Sequence, residues 1–125
     1  MKTAELTGPA LDWAVAKAEG ATDFWYDTVA TYWVKLDGKD RALRYGWAQS
    51  YLPSTDWAQG GPIIEREGID LHYERNSDGD IVQIWARIGD AAPPEYFGQT
   101  GLEGAMRCYV ASKMGDTVDI PKELT

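Results

Sequence analysis

Thr100-Gly101-Leu102-Glu103-Gly104-Ala105-Met106-Arg107-Cys108-Tyr109-Val110-Ala111-Ser112-Lys113-Met114-Gly115 is the stretch that decides the fold class. Thr100 and Glu103 stand at capping-box spacing, where each side chain satisfies an amide that the other's turn leaves open. Leu102, Ala105, Met106, Tyr109 and Val110 recur on one face at helical spacing, and Gly115 supplies a stop. The spacing predicts a helix over Thr100–Lys113, packed through that face. Upstream, Ala91–Gly98 reads as a Pro-rich loop. Before it, Ile69–Arg75 and Ile81–Ile88 read as strands joined around Asn76-Ser77-Asp78-Gly79-Asp80.

The first half of the chain repeats the mixture. Thr7 or Gly8 can cap a first helix, Pro9 suits its first turn, and Gly20 ends it. Leu11, Ala14, Val15 and Ala18 form its core stripe. Trp13 falls on the other side, where it either packs under a neighbouring element or offers an exposed contact. From Phe24 to Trp47 the pattern alternates: Tyr32, Val34 and Leu36 against Thr31, Trp33 and Lys35. Asp37-Gly38 gives a hairpin signal, with Leu43, Tyr45 and Trp47 alternating after it. Tyr51–Pro62 reads as a loop with a helix start inside it, and Ile63–Glu67 as a short turn or helix. The expectation is an α+β fold, a small antiparallel sheet flanked by N-terminal and C-terminal helices, in a single domain over residues 1–125.

Composition narrows the function classes. The net charge is −8, with the acids spread along the chain, which argues against a sequence-independent grip on phosphate backbones. An acidic surface can nevertheless imitate nucleic acid. Cys108 is the only cysteine, so no internal disulfide is expected, and a reducing compartment is the simplest reading. No apolar run approaches the roughly 20 residues that span a bilayer, and Glu5 stands where a signal peptide would turn apolar. Neither a membrane nor direct nucleic-acid binding is expected, and the chain is expected to act in the cytoplasm. Six Trp and seven Tyr against two Phe tilt the composition towards ligand or partner contacts.

His72 is the only histidine, and no spacing links it to Cys108 as a nucleophile–base pair. It shares a strand face with Asp70 and Glu74, which reads better as a solvated sheet face than as a metal or acid–base cluster. Asn76, Asp78 and Asp80 lack the rest of a calcium loop and read as a hairpin turn. No catalytic residue, metal ligand or cofactor is therefore expected. The strongest candidate for a site is Pro53-Ser54-Thr55-Asp56-Trp57-Ala58-Gln59-Gly60-Gly61. Ser54 or Thr55 can cap a helix there, and Asp56 suits its first turn. Asp56 can accept from a ribose hydroxyl or a base amino group, and Trp57 offers a stacking surface of about 1–3 kcal/mol per base. Gln59 supplies a donor and an acceptor, and Gly60-Gly61 permit close backbone approach. Arg66 and Arg107, the latter on the flank of the last helix, are the natural counter-charges for a phosphate. The competing reading of the same stretch is a capped turn, a buried Trp and a glycine stop before Pro62.

Three blocks carry a resemblance. Glu5-Leu6-Thr7-Gly8 with Ala10–Gly20, Pro53–Glu65 around Ser54-Thr55-Asp56-Trp57-Ala58-Gln59-Gly60-Gly61-Pro62, and Ala105–Asp116 occur in order and span nearly the whole chain. Together they resemble the NinX-like proteins of lambdoid phages and prophages, while Thr22–Arg44 and Asp70–Phe97 look individual to this protein. The resemblance implies a phage accessory protein working in the cytoplasm of an infected host, and it brings no catalytic residues with it. The expectation is non-catalytic binding in phage counter-defence by sequestering a small nucleotide-like immune signal, with a homo-oligomer as the working form. The alternatives are an inhibitor that binds a host defence protein through an acidic aromatic surface, and a small nucleotide hydrolase.

Overall fold

The computed structural model describes residues 1–89 and 95–125. A short 3-10 turn, Thr3–Glu5, leads into α1 (Gly8–Ala18). Three strands follow, β1 (Asp23–Tyr26), β2 (Tyr32–Leu36) and β3 (Lys39–Ala42), and then α2 (Trp57–Glu67). A second set, β4 (Ile69–Arg75), β5 (Ile81–Ile88) and β6 (Tyr96–Gly98), precedes α3 (Gly101–Met114). The fold is α+β with helices at both ends. Its strands form two antiparallel sheets, β1-β2-β3 and β4-β5-β6, where the sequence suggested one.

The elements follow from local chemistry. Thr100 Oγ1 accepts from the Glu103 amide at 3.1 Å, and Glu103 in turn accepts from the Gln99 amide at 3.0 Å, so the cap forms with its return arm one residue earlier than the box spacing implies. Leu102, Ala105, Met106, Tyr109 and Val110 are all buried, and Gly115 ends α3 at φ 89°. This helix is the central element: it lies against β4, β5 and β6 on one side and against α1 and α2 on others. The β2–β3 hairpin turns on Asp37 and Gly38, both at positive φ (53° and 76°). That geometry matches the right-handed twist of the flanking strands.

Three expectations need correcting. The second strand of that hairpin stops at Ala42; Leu43 is buried, and Tyr45, 86% exposed, lies on a turn with Trp47. Leu43 N still donates to Tyr32 O at 2.9 Å, and on the open edge Ala42 N donates to Gln49 O and Tyr51 N to Ala42 O, so a side loop covers that edge. Tyr96–Gly98, placed in a Pro-rich loop, is β6, hydrogen-bonded to β5; residues 91–94 of that loop lie outside the described residues. Finally, α1 is not one-sided. Ala10 to Ala16 are all buried, Asp12 and Trp13 included. Trp13 packs against Phe24 of β1 at a centroid distance of 5.3 Å, so it lies under a neighbouring element.

Candidate functional site

The segment singled out in the sequence does start a helix, but Asp56 caps it rather than Ser54 or Thr55: its Oδ1 accepts from the Ala58 amide at 3.0 Å. Gly60, Gly61 and Pro62 lie inside α2 instead of ending it. Gly60 is there for packing. A Cβ on it would land on the Pro53 carbonyl oxygen and lie 2.6 Å from Leu102 Cδ2, so α2 can approach its own lead-in and α3 only without a side chain.

Most of the polar groups expected to face a ligand are occupied by the protein. The Ser54 amide donates to Asp12 Oδ1 of α1 at 2.8 Å, and its side chain is buried. Gln59 accepts from the Leu52 amide at 2.6 Å and donates to Ser50 O at 3.0 Å, which ties the loop before α2 to the helix. Arg66 makes a two-pronged contact with Glu19 (3.0 and 2.6 Å) and a third bond to Glu67 at 2.9 Å. Arg107 donates to Leu6 O at 2.7 Å and Phe97 O at 2.8 Å, with Glu103 3.4 Å away. Thr55 and Trp57 remain exposed beside the half-buried Asp56, Trp57 by 53%. Arg66 sits in the last turn of α2, at the opposite end from Trp57, and Arg107 lies on α3.

Where those groups are tied up, an ionic cluster joins the three helices. The buried Tyr109 hydroxyl donates to Glu19, which also receives Arg66, while Lys113 approaches Glu67 to 3.4 Å. Burial works against charge on Glu19, but hydrogen bonds from Arg66 and Tyr109 outweigh it and hold the carboxyl below its usual range. Two turns earlier on α1, burial pushes the Asp12 carboxyl up to about 7, against the lowering effect of the Ser54 hydrogen bonding.

The outer face of the first sheet shows what the sequence reading missed. Pairing puts Phe24 opposite Val34 on the side of α1, and Trp25 opposite Trp33 on the other side. The Trp25 and Trp33 rings are parallel within 5° with centroids 6.1 Å apart, and Trp47 leans on Trp33 at 5.5 Å. Arg44 stands 5.1 Å over Trp47 and donates to Thr31 Oγ1 at 3.2 Å. Asp27 accepts from the Trp33 indole N–H at 2.7 Å and from the Val29 and Thr31 amides at 2.9 Å each. The indole bond, the Thr31 amide and Arg44 hold the Asp27 carboxyl below its ordinary value. The signal in the sequence was faint: Trp33 had its face assigned, but Trp25 and Trp47 join it only through the register of β1 and the turn after β3.

The outer face of the second sheet carries a different aromatic pair. His72 lies opposite Trp85, rings stacked at 4.0 Å and 8°, with Phe97 next across the sheet. Asp70, His72 and Glu74 are exposed, as a wet sheet face requires.

A family model described as bacteriophage P22 NinX matches residues 2–113. The chain belongs to that family. A search of curated proteins returned no match. The match covers α1, α2, both sheets and α3 as far as Lys113, so the wiring of Arg66, Arg107 and Gln59 described above lies within the region that defines this NinX-family domain. Among the described residues, no helix is long and apolar enough to cross a membrane.

Proposed function

We propose that this phage accessory protein acts by holding a small nucleotide-like ligand without cleaving it, and that the ligand is a host immune signal taken out of circulation during infection. The observation that carries this reading is the outer face of the first sheet, where Trp25, Trp33 and Trp47 lie side by side next to Arg44. Stacking on such rings is worth about 1–3 kcal/mol per base. Arg44 makes one hydrogen bond, to a neutral hydroxyl, lies over the Trp47 ring and helps lower the Asp27 carboxyl, and its remaining N–H donors suit a phosphate on a chain of net charge −8. Thr55, Asp56 and Trp57 offer a smaller surface of the same kind at the start of α2.

The test is to incubate the purified protein with signalling nucleotides, remove free ligand, heat-denature the complex and identify what is released. Intact nucleotide supports sequestration. Cleaved nucleotide moves the protein to the hydrolases, and the absence of any retained nucleotide removes the reading.

A second reading, blocking a host defence protein or self-association into an oligomer, draws on exposed apolar residues of the second sheet. There Tyr73, Ile81, Val82 and Phe97 are 43–59% exposed. Light scattering at high micromolar concentration separates the two: a mass above 13.9 kDa supports the oligomer, and the monomer mass removes it.

A further inference from the structure

We propose that two copies of this chain associate edge to edge through β4, antiparallel about a two-fold axis at Tyr73, which joins their second sheets into one. This rests on the self-association reading above, not on the nucleotide reading, and gives it a surface and a register.

The four sheet edges are closed to different degrees. The β3 edge is covered by the loop that hydrogen-bonds to Ala42, and Arg41 adds a bond to Ser50 O at 3.0 Å. At β6 the Phe97 carbonyl is taken by Arg107. The β1 edge is open but only four residues long. β4 has seven residues and is paired on one side, with β5. Among the described residues it makes no backbone hydrogen bond to any other element. Its last four residues, His72 to Arg75, are all exposed. A row of unpaired amides and carbonyls of that length is a template for another strand.

Charge says which strand fits. A two-fold axis normal to the sheet sets residues of the same face opposite one another. Asp70, His72 and Glu74 of one copy therefore meet the same three residues of the second. An axis at His72 sets Asp70 against Glu74, and an axis at Glu74 sets that carboxylate against itself. Both put acid on acid, which destabilises a cross-strand pair. An axis at Leu71 sets the second copy's Glu74 and Arg75 against Gly68 and Glu67, which end α2 and belong to no strand. The axis at Tyr73 avoids all three faults. Each His72 then faces the other copy's Glu74, an imidazole N–H against a carboxylate, and Asp70 faces the uncharged Asn76. On the opposite face, where a Cβ on Gly101 would meet the Tyr73 hydroxyl, the two Tyr73 side chains come together. Each is 43% exposed in the single chain. The edge is complementary to itself, and every contact is made twice.

The experiment measures the mass of the full chain by light scattering over a concentration series, then tests the register with cysteines. Cys108, the native thiol, is buried. Under mild oxidation Tyr73→Cys should link to its own copy, because opposed residues lie about 4.5–5.5 Å apart and a disulfide spans that distance. His72→Cys and Glu74→Cys should link to each other when mixed. Alone, each should link far less, since the diagonal distance is about 7–8 Å. His72→Glu should weaken the dimer about tenfold by making two like-charge pairs, and His72→Glu with Glu74→Lys should restore it. Each variant is checked for folding by thermal melting. Equal linking in mixed and unmixed samples, or a dimer unmoved by His72→Glu, overturns the β4 register while self-association stands. A mass of 13.9 kDa at every concentration overturns both.

Discussion

The two sheets of this domain use the same device to different ends. Each has three antiparallel strands, and each carries on its outer face an aromatic pair set directly across two strands. In the second sheet the pair is closed, and the inner face is sealed by α3 through Met106, Val110 and their neighbours. In the first sheet the two ring centroids are 6.1 Å apart, and the inner face meets α1 through Phe24 on Trp13, beside the buried Val34. Cross-strand aromatics stabilise a sheet when their faces meet. Parallel rings with more distant centroids overlap less, so the Trp25–Trp33 contact is the smaller of the two. The second sheet is thus the one built against α3, and the first the one whose outer aromatic pair overlaps less.

The largest effect should come from breaking the seal of the second sheet. Met106 is fully buried, and Met106→Ala should cost about 2–5 kcal/mol in urea unfolding. A midpoint close to wild type would mean that α3 does not carry the sheet as described.

The α1 side holds a contact that depends on pH. Asp12 is 1% exposed and accepts the Ser54 amide, and burial raises its carboxyl to about 7 from an ordinary value near 4. The folded state therefore holds this proton more tightly than the unfolded chain. Its stabilising contribution is complete below pH about 4 and is lost as pH rises through 7, with a difference on the order of 4 kcal/mol by pH 8 as an upper bound. Glu19 and Glu103, held below their usual values, withdraw stability only under more acidic conditions. The wild type should be more stable at pH 5.5 than at pH 8, and Asp12→Asn should flatten that slope. An unchanged slope in the variant would place the dependence elsewhere.

The fold was legible where its causes are local. A cap, a stripe and a stop lie within one stretch for α3, and alternation within seven or eight residues marks β4 and β5. What was missed is set by distant partners. The three residues of β6 are a strand only because β5 lies beside them. Gly60-Gly61-Pro62 look like breakers, yet α2 runs through them, and Gly60 lets it meet Pro53 and Leu102. The candidate site depends on distant partners in the same way. Asp, Gln and Arg in one short stretch are the right groups for reading a nucleotide. Whether they are free to do so was decided by Glu19, 47 positions from Arg66, and Leu6, 101 positions from Arg107.

The smallest effect tests the comparison most directly: the stability cost of removing one aromatic from each outer face. Trp85 is in face-to-face contact with His72, and Arg87 approaches its ring at 5.8 Å. Aromatic pairs contribute about 0.5–1.5 kcal/mol beyond the area they bury, and cross-strand pairs about 0.2–1 kcal/mol relative to Ala–Ala. Trp85→Ala should therefore cost about 1 kcal/mol from the pair alone, with more from lost burial. Trp25 lies on an edge strand, its ring 6.1 Å from that of Trp33. Truncating it leaves Asp27 bound to Trp33 and Trp47 leaning on the same ring. Trp25→Ala should cost measurably less than Trp85→Ala in paired urea unfolding curves with unchanged slopes. Equal losses would mean that the two pairs do the same structural work, and the contrast between them would have to be given up.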